Sequence, residues 1–204
     1  MINKKIAPLM AMLSVLLVSG CSNAPPSRPA DLCAVFDDKS SWYKHARKAE
    51  KRWGSPIPVM MSIMFQESQY RHNIRPARTK ILWVIPGPRP SNAYGYPQAK
   101  NDVWNEYRKS TGNDWARRDN FKDAIDFIGW YNRQSQRRNK IALNDGYRLY
   151  LAYHEGQGGY SRGSYYKKPW LIKTAKTVSG RAGQYSAQLK KCEKRLNRSW
   201  WWPF

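Results

Sequence analysis

Apolar side chains recur every three or four residues over most of this sequence, a spacing typical of one buried face of an α-helix. The clearest run places Phe121, Ile125 and Ile128 on one face, directly after a residue type that often caps helices. The same pattern predicts helices over residues 41–53, 57–70, 98–109, 121–138, 145–154, 167–178 and 183–196. We therefore expect a mainly α fold.

One segment departs from the helical pattern. Residues 71–98 are rich in Arg, Pro and Gly, and within them ILWVI at 81–85 is followed by PGPRP. A short run of β-branched and aromatic residues before such a sequence predicts a strand and a turn. The predicted fold class is therefore mainly α, with at most a small β-hairpin.

Residues 1–20 have the composition of an export signal. A basic MINKK precedes an apolar stretch that is too short to span a membrane with ordinary flanks. The VSGC that follows resembles a bacterial lipobox, which implies cleavage before Cys21 and lipidation of that residue. An uncleaved anchor and an ordinary secretory signal are the alternatives. We expect residues 21–30 to form a flexible tether and residues 31–204 to form one domain.

The lipobox resemblance implies an exported protein that is held at a membrane by its lipid. Ser22 after the lipidated residue resembles an outer-membrane sorting signal, which in a Gram-negative cell implies a domain that faces the periplasm. The formal charge of +22 would otherwise suggest nucleic acid as a partner. Outside the cytoplasm the abundant polyanions are cell-wall polymers and anionic lipids. We therefore expect no nucleic-acid partner.

Two cysteines remain once Cys21 is assigned to the lipid. In an oxidising compartment Cys33 and Cys192 are expected to form a disulfide, although two buried free thiols are the alternative. The three histidines are scattered and show no ligand spacing with either cysteine, so we expect no metal site.

A carboxylate interrupts one of the apolar stripes. In a helix over residues 57–70, Glu67 continues the face formed by Met60 and Ile63, where an apolar residue is expected. Burial disfavours the charged form of a carboxyl and raises its pKa, so such a group can give a proton to a glycosidic oxygen. Alternatively, Glu67 reaches solvent at the helix end or pairs with Arg71 or Arg75.

Two further segments combine glycine with polar and aromatic residues. GYPQ at 95–98 follows a Gly- and Pro-rich loop, and AYHEG at 152–156 ends an apolar helix before a second Gly-rich loop. Glycine allows the backbone to approach a sugar closely, and a glutamine side chain offers it both a donor and an acceptor. Each segment alone is also compatible with an ordinary start or end of a helix.

Glu67-Ser68, GYPQ and AYHEG, in this order, resemble the lysozyme-like lytic transglycosylases of bacterial cell walls, which are related to goose-type lysozyme. That family has Glu-Ser at a helix end, then Gly-x-x-Gln, then Ala-Tyr-Asn-x-Gly. The resemblance covers roughly residues 42–175, and it departs from the family where Tyr-Pro replaces Leu-Met and where His replaces Asn. It implies a lysozyme-like helical domain with Glu67 as the catalytic residue. The implied substrate-binding residues are Ser68, Gly95, Tyr96, Gln98, Tyr153, His154 and Gly156.

The resemblance also implies a reaction. Glu67 would protonate the oxygen between N-acetylmuramic acid and N-acetylglucosamine and then take the proton of the muramyl 6-hydroxyl, giving a 1,6-anhydro end on a peptidoglycan glycan strand. No metal or organic cofactor is implied. A muramidase, with Asp102 or Glu155 holding the water, is one alternative. A non-catalytic cell-wall-binding lipoprotein is another.

Overall fold

The computed structural model describes residues 24–198. The predicted signal peptide over residues 1–20 and the predicted lipidation site Cys21 lie outside the described residues, as do the last six residues. Between residues 24 and 198 the fold is mainly helical with one small antiparallel hairpin, which confirms the predicted fold class. None of the helices in this range combines the length and apolar character needed to cross a bilayer.

The described part of the chain contains seven α-helices, two short strands and one 3-10 turn. The elements are α1 (Leu32–Asp38), α2 (Ser40–Trp53), α3 (Ile57–Ser68), β1 (Lys80–Ile81), β2 (Ile85–Pro86), α4 (Asn101–Thr111), α5 (Phe121–Asn139), α6 (Gly146–Ser161), the 3-10 turn (Ser164–Lys167) and α7 (Pro169–Arg198).

Local sequence sets several helix ends. The Asn120 side chain accepts a hydrogen bond from the Asp123 amide at the start of α5. Gly54 ends α2 in the left-handed conformation, and its amide donates to the carbonyl of Glu50. Polar residues before a helix and glycine after it therefore mark these ends as the sequence predicts.

Helix α3 is the central helix of the domain. It packs against α7, α5, α6 and α2, so it is covered on most sides. Val59, Met61 and Ser62 are buried as well as the predicted stripe of Met60 and Ile63. A helix that is apolar all round belongs in a core rather than on a surface. The predicted one-sided stripe is thus too narrow a description of α3.

Helix α7 corrects a predicted break. Residues 167–178 and 183–196 were expected to form two helices, but they belong to a single helix of 30 residues. Gly180 and Gly183 lie inside this helix, and a Cβ atom added at either position would have no neighbour within 4 Å. Val178 and Ala182 continue the buried face across this stretch.

The N-terminal part of the described chain is attached to α7. Cys33 in α1 forms a disulfide with Cys192, and their Cα atoms lie 6.0 Å apart. Before α1, Gln188 donates a hydrogen bond of 3.1 Å to the carbonyl of Ala30, and the Tyr185 hydroxyl donates to the carbonyl of Pro29. Pro26 is buried. The predicted flexible tether over residues 21–30 is therefore wrong for the part that packs on α7, because side chains of α7 bind its backbone.

The apolar run at 81–85 forms a hairpin by itself rather than one strand. Ile81 pairs with Ile85, and the chain reverses direction through Leu82, Trp83 and Val84. The sequence predicted a strand followed by a turn because five β-formers stand together. The strand pairing is local, so the run becomes both strands and the turn between them.

Candidate active site

A cleft of about 540 Å³ opens beside the C-terminal end of α3. Its walls come from α3, the loop before α4, the first turn of α4, α5 and α6. The lining residues are Glu67, Ser91, Ala93, Gln98, Ala99, Lys100, Asp102, Val103, Phe127, Tyr131, Tyr153, His154, Glu155 and Gly156. One cleft thus collects the predicted catalytic residue and four of the predicted substrate-binding residues.

Glu67 is the penultimate residue of α3 and points into this cleft. Burial raises the pKa of its carboxyl to about 7, and a hydrogen bond from the Tyr150 hydroxyl partly opposes that rise. The two arginines considered as ion-pair partners have other contacts. Arg71 donates to the carbonyl of Ser68, and the guanidinium of Arg75 stacks on the Tyr94 ring at 4.3 Å. Glu67 therefore carries the features of a proton donor near neutral pH.

The chain leaves α3 through an unusual turn. Gln69 and Tyr70 have φ values of 52° and 60°, a region that costs a non-glycine residue about 1–2 kcal/mol. The fully buried Tyr70 ring stabilises this turn, and its hydroxyl donates a 3.2 Å hydrogen bond to the carbonyl of Met61. The turn ends α3 just after Glu67, which fixes where the carboxylate lies.

Ser68 lies outside the cleft. Its side chain is buried, and its hydroxyl donates a 3.1 Å hydrogen bond to the carbonyl of Met64 in the preceding turn. A hydroxyl that is buried and bonded to its own helix does not contact a ligand in the cleft. The structure therefore does not support the predicted contact between Ser68 and the substrate. The Ser68 side chain packs inside the domain and bonds to its own helix.

Gly95 and Tyr96 support the cleft from behind. Gly95 has a φ of 75°, and a Cβ atom there would lie 2.2 Å from the carbonyl oxygen of Arg118. The Tyr96 ring is buried, with edge-to-face contacts to Trp42 and Phe121. Neither residue lines the cleft. The sequence assigned both to substrate binding, whereas the structure gives them a scaffolding position.

Gln98 does line the cleft. Its side-chain amide nitrogen donates to the carbonyls of Ile74 and Gly95, at 3.0 and 2.9 Å. These two bonds hold the loop before α4 against the segment that follows α3. With the nitrogen engaged in this way, the amide oxygen is the atom that Gln98 offers to a ligand.

Helix α6 supplies the opposite wall. The Tyr153 hydroxyl donates a 2.6 Å hydrogen bond to the carbonyl of Pro97, so α6 is joined directly to the GYPQ loop. The resemblance assigns Tyr153 to substrate binding, and the hydrogen bond to Glu67 comes instead from Tyr150, one helical turn earlier. Gly156 interrupts the helix with a φ of 76°.

Glu155 is the second acidic residue at this wall. Burial alone would raise the pKa of its carboxyl, but hydrogen bonds from Lys168, Ser164 and His154 outweigh burial and lower the pKa to about 2. The Lys168 ammonium lies 2.7 Å from Oε1, and the His154 ring nitrogen lies 3.1 Å from the same atom. Glu155 is therefore ionised and engaged at both oxygens.

Comparison with known protein families decides the assignment. A family model described as a transglycosylase SLT domain matches residues 9–192. The chain belongs to this family. The match spans α1 to α6 and most of α7, so it includes every residue that lines the cleft. No curated protein and no solved structure gave a match.

Membership in the SLT transglycosylase family implies that the domain binds peptidoglycan glycan strands. The site also includes residues in the cleft wall and behind it that sequence reasoning missed. Phe127 and Tyr131 contribute aromatic surface from α5, and Tyr150 contacts Glu67 from α6. Tyr150 resembled a core residue of an apolar helix. Its spacing of one turn from Tyr153 was the available signal.

Proposed function

We propose that the protein is a peptidoglycan lytic transglycosylase that cleaves the bond between N-acetylmuramic acid and N-acetylglucosamine and leaves a 1,6-anhydro end. The observation that carries the proposal is Glu67: a carboxyl in the cleft of an SLT transglycosylase domain, with a pKa raised to about 7 by burial. Near neutral pH such a group is protonated about half of the time, so it serves both as an acid and as a base.

In the first step Glu67 donates its proton to the glycosidic oxygen. The bond between that oxygen and C1 of the muramyl ring breaks, the N-acetylglucosamine hydroxyl leaves, and positive charge develops at C1. Glu67 is now a carboxylate close to that charge. The Tyr150 hydroxyl donates to the carboxylate and stabilises it, so the acid does not recapture its proton from the leaving group at once.

In the second step the muramyl 6-hydroxyl attacks C1 and gives its proton to Glu67. A C1–O6 bond forms, the acid is regenerated, and no water enters the product. The nucleophile belongs to the substrate itself, so its attack gains from proximity and requires no second protein carboxylate. Gln98, Tyr153, His154 and Gly156 line the cleft, and we assign to them the positioning of the strand.

The hydrolytic alternative needs a carboxylate that activates water. Glu155 lies in the cleft, but its pKa of about 2 makes it a weak base, and both of its oxygens already accept hydrogen bonds. Asp102 also lines the cleft, in the exposed first turn of α4. Asp102 is therefore the residue that a muramidase reaction would use.

We also propose export and lipidation at Cys21, with the domain at the periplasmic face of the outer membrane if the cell is Gram-negative. The disulfide between Cys33 and Cys192 supports export, because such bonds persist in oxidising compartments. The mass of the N-terminal peptide from the membrane fraction tests the modification. An acylated Cys21 is expected, and an unmodified peptide that begins upstream of Cys21 would contradict it.

The reaction is tested by digesting purified peptidoglycan and weighing the released muropeptides. Products one water lighter than the corresponding reducing sugars are expected. Reducing ends that disappear in Asp102→Asn would instead establish a muramidase. If the protein pellets with peptidoglycan but releases nothing, the enzymatic proposal fails and the cleft is a binding site.

A further inference from the structure

The hairpin of β1 and β2 carries a large apolar surface at its apex. Leu82, Trp83 and Val84 are exposed to 77%, 88% and 80% of their maximum, and Ile81 and Ile85 beside them are exposed to about half. Five consecutive large apolar residues in water are unusual, because exposed apolar residues are normally scattered. A contiguous exposed patch of this kind is typical of an interaction surface.

The backbone of the apex is strained. Leu82 and Trp83 have φ values of 50° and 67°, and the Val84 amide donates to the carbonyl of Ile81 across the turn. Turns with two positive φ values favour Asn-Gly at the central positions, because bulky residues are strained there. Two large apolar side chains stand where the local geometry favours Asn-Gly. The apex therefore carries apolar side chains at two positions where they strain the backbone.

The base of the hairpin is well anchored. The Gly87 amide donates to the carbonyl of Thr79 at 2.7 Å, and the Thr79 amide donates to the carbonyl of Pro88 at 3.0 Å. Arg78 adds a hydrogen bond to the carbonyl of Gly87. These contacts hold the two sides of the loop together, so the apex is presented on a defined support.

The surrounding sequence is uniformly basic. Between Glu67 and Asp102 the chain has no acidic residue. The six cationic residues in the same stretch are Arg71, Arg75, Arg78, Lys80, Arg89 and Lys100. Of these six, Arg78, Lys80 and Arg89 lie within four residues of the run at 81–85. An apolar tip flanked by cations complements an anionic lipid surface, where the tip enters the acyl region and the cations remain among the headgroups.

We propose that residues 81–85 insert into the interface of a membrane that contains anionic lipids. A tryptophan flanked by aliphatic side chains is the combination that membrane interfaces favour. A glycan strand requires hydrogen-bonding side chains, and the indole nitrogen of Trp83 is the only such group on the side chains of the apex. The same loop continues to Ser91 and Ala93 in the cleft wall, so insertion sets the distance of the cleft from the membrane.

The test uses the full chain with Cys21→Ser, which removes the proposed lipid attachment. An environment-sensitive fluorophore is attached through Val84→Cys or, as a matched control, through Trp115→Cys, a position that is 93% exposed in another loop. Each protein is mixed with vesicles of phosphatidylcholine alone or of phosphatidylcholine with phosphatidylglycerol. Because the readout is local, binding through the N-terminal segment does not mimic insertion of the hairpin.

The label at position 84 is expected to gain several-fold in fluorescence and to be quenched by lipid-borne quenchers on anionic vesicles, with little change on neutral vesicles. The label at position 115 is expected to remain in water. A label at 84 that remains in water on both vesicle types overturns the proposal. If that label is instead shielded by purified peptidoglycan, the apex binds the wall.

A double variant separates the apolar apex from the fold of the hairpin. Leu82→Asn/Trp83→Gly places the preferred turn residues in the same turn, so the hairpin is retained while its apex becomes polar. With the fluorophore at position 84, this variant is expected to lose most of the fluorescence gain on anionic vesicles, whereas Trp115→Ser with the same label is expected to keep it. Its release of muropeptides from soluble glycan is expected to be unchanged. An undiminished fluorescence gain would contradict the membrane role and leave the proposed reaction intact.

Discussion

The Tyr150 hydroxyl donates a hydrogen bond to the Glu67 carboxylate, joining α6 to the end of α3 beside the cleft. The bond opposes the effect of burial, because it stabilises the charged form of Glu67. Burial prevails, and the pKa is raised to about 7. The balance of these two effects determines the pH range in which Glu67 functions as an acid.

Glu67→Gln is expected to reduce muropeptide release about 100- to 10,000-fold, because an amide neither donates an acidic proton nor accepts one. Binding to peptidoglycan is expected to persist, since the side chain keeps its shape. The matched control is Glu106→Gln, which breaks an exposed ion pair with Arg138. Loss of binding together with activity would contradict the assigned role.

The pH dependence of kcat/KM is expected to fall above pH 7, about tenfold for each further pH unit, because the free enzyme must carry a protonated Glu67. In Tyr150→Phe the hydrogen bond to the carboxylate is lost, so the pKa rises and the alkaline limb moves up by about 1 pH unit. Tyr153→Phe, which loses a bond to Pro97, is the control. An equal shift in both variants would show that the effect is not specific to Tyr150.

The free energy of unfolding is also expected to depend on pH through the ionisation of Glu67. The folded pKa of Glu67 is about 7 against 4.5 for a free glutamate, so between these values the folded state holds a proton that the unfolded state has released. Ionisation of Glu67 therefore lowers the free energy of unfolding by up to about 3 kcal/mol as pH rises from 4.5 through 7. Glu67→Gln is expected to be more stable than wild type at pH 8 and to lose this advantage below pH 5. Denaturant titrations at both pH values measure the difference.

Reduction of the Cys33–Cys192 disulfide is expected to lower the free energy of unfolding by as much as about 5 kcal/mol, because the bond closes a loop with a sequence separation of 159 residues. The measurement is the urea midpoint with and without reductant. The double variant Cys33→Ala/Cys192→Ala serves as the control, since its midpoint should not respond to reductant. A wild-type midpoint that is insensitive to reductant would contradict the expectation.

Two glycines allow the conformational cost of an alanine substitution to be distinguished from the cost of a steric clash. Gly95 and Gly156 have nearly equal φ values of 75° and 76°, but an added Cβ atom meets the Arg118 backbone only at Gly95. Gly156 also has a ψ of 161°, a combination that only glycine adopts readily, so Gly156→Ala is expected to cost about 1–3 kcal/mol from conformation alone. Gly95→Ala is expected to cost more, because the clash adds to it. Thermal unfolding of the two variants gives the comparison, and equal losses would mean that the Arg118 loop moves aside.

The helical architecture was predictable because apolar periodicity is a local property. The exceptions arise where tertiary contacts decide. Gly180 and Gly183 weaken a helix, but the buried face of α7 continues past them and keeps it intact. The run at 81–85 has strong strand propensity but only itself to pair with, so it folds into a hairpin. Local helix and strand propensity identified which segments form regular structure. Tertiary packing and the available pairing partners determined where each element begins and ends.

Glu67 was identifiable in the sequence because a carboxylate in an apolar run is conspicuous. Ser68 and Tyr96 occur in the same motifs, yet their side chains face the core, and the sequence motifs do not distinguish cleft from core. Tyr150 was missed for the opposite reason: among apolar neighbours a tyrosine resembles core, and only the contact between α3 and α6 reveals its role.

Helix α7 comprises the final described residues of the chain, yet it packs on α3, which carries Glu67, and on α6, which carries Tyr150. A chain in which α7 is not yet packed lacks a large part of the surface against which α3 is buried. The carboxyl of Glu67 is then more solvated, and the raised pKa that burial gives it is reduced. A functional acid at Glu67 therefore depends on the docking of a helix that begins about 100 residues further along the chain.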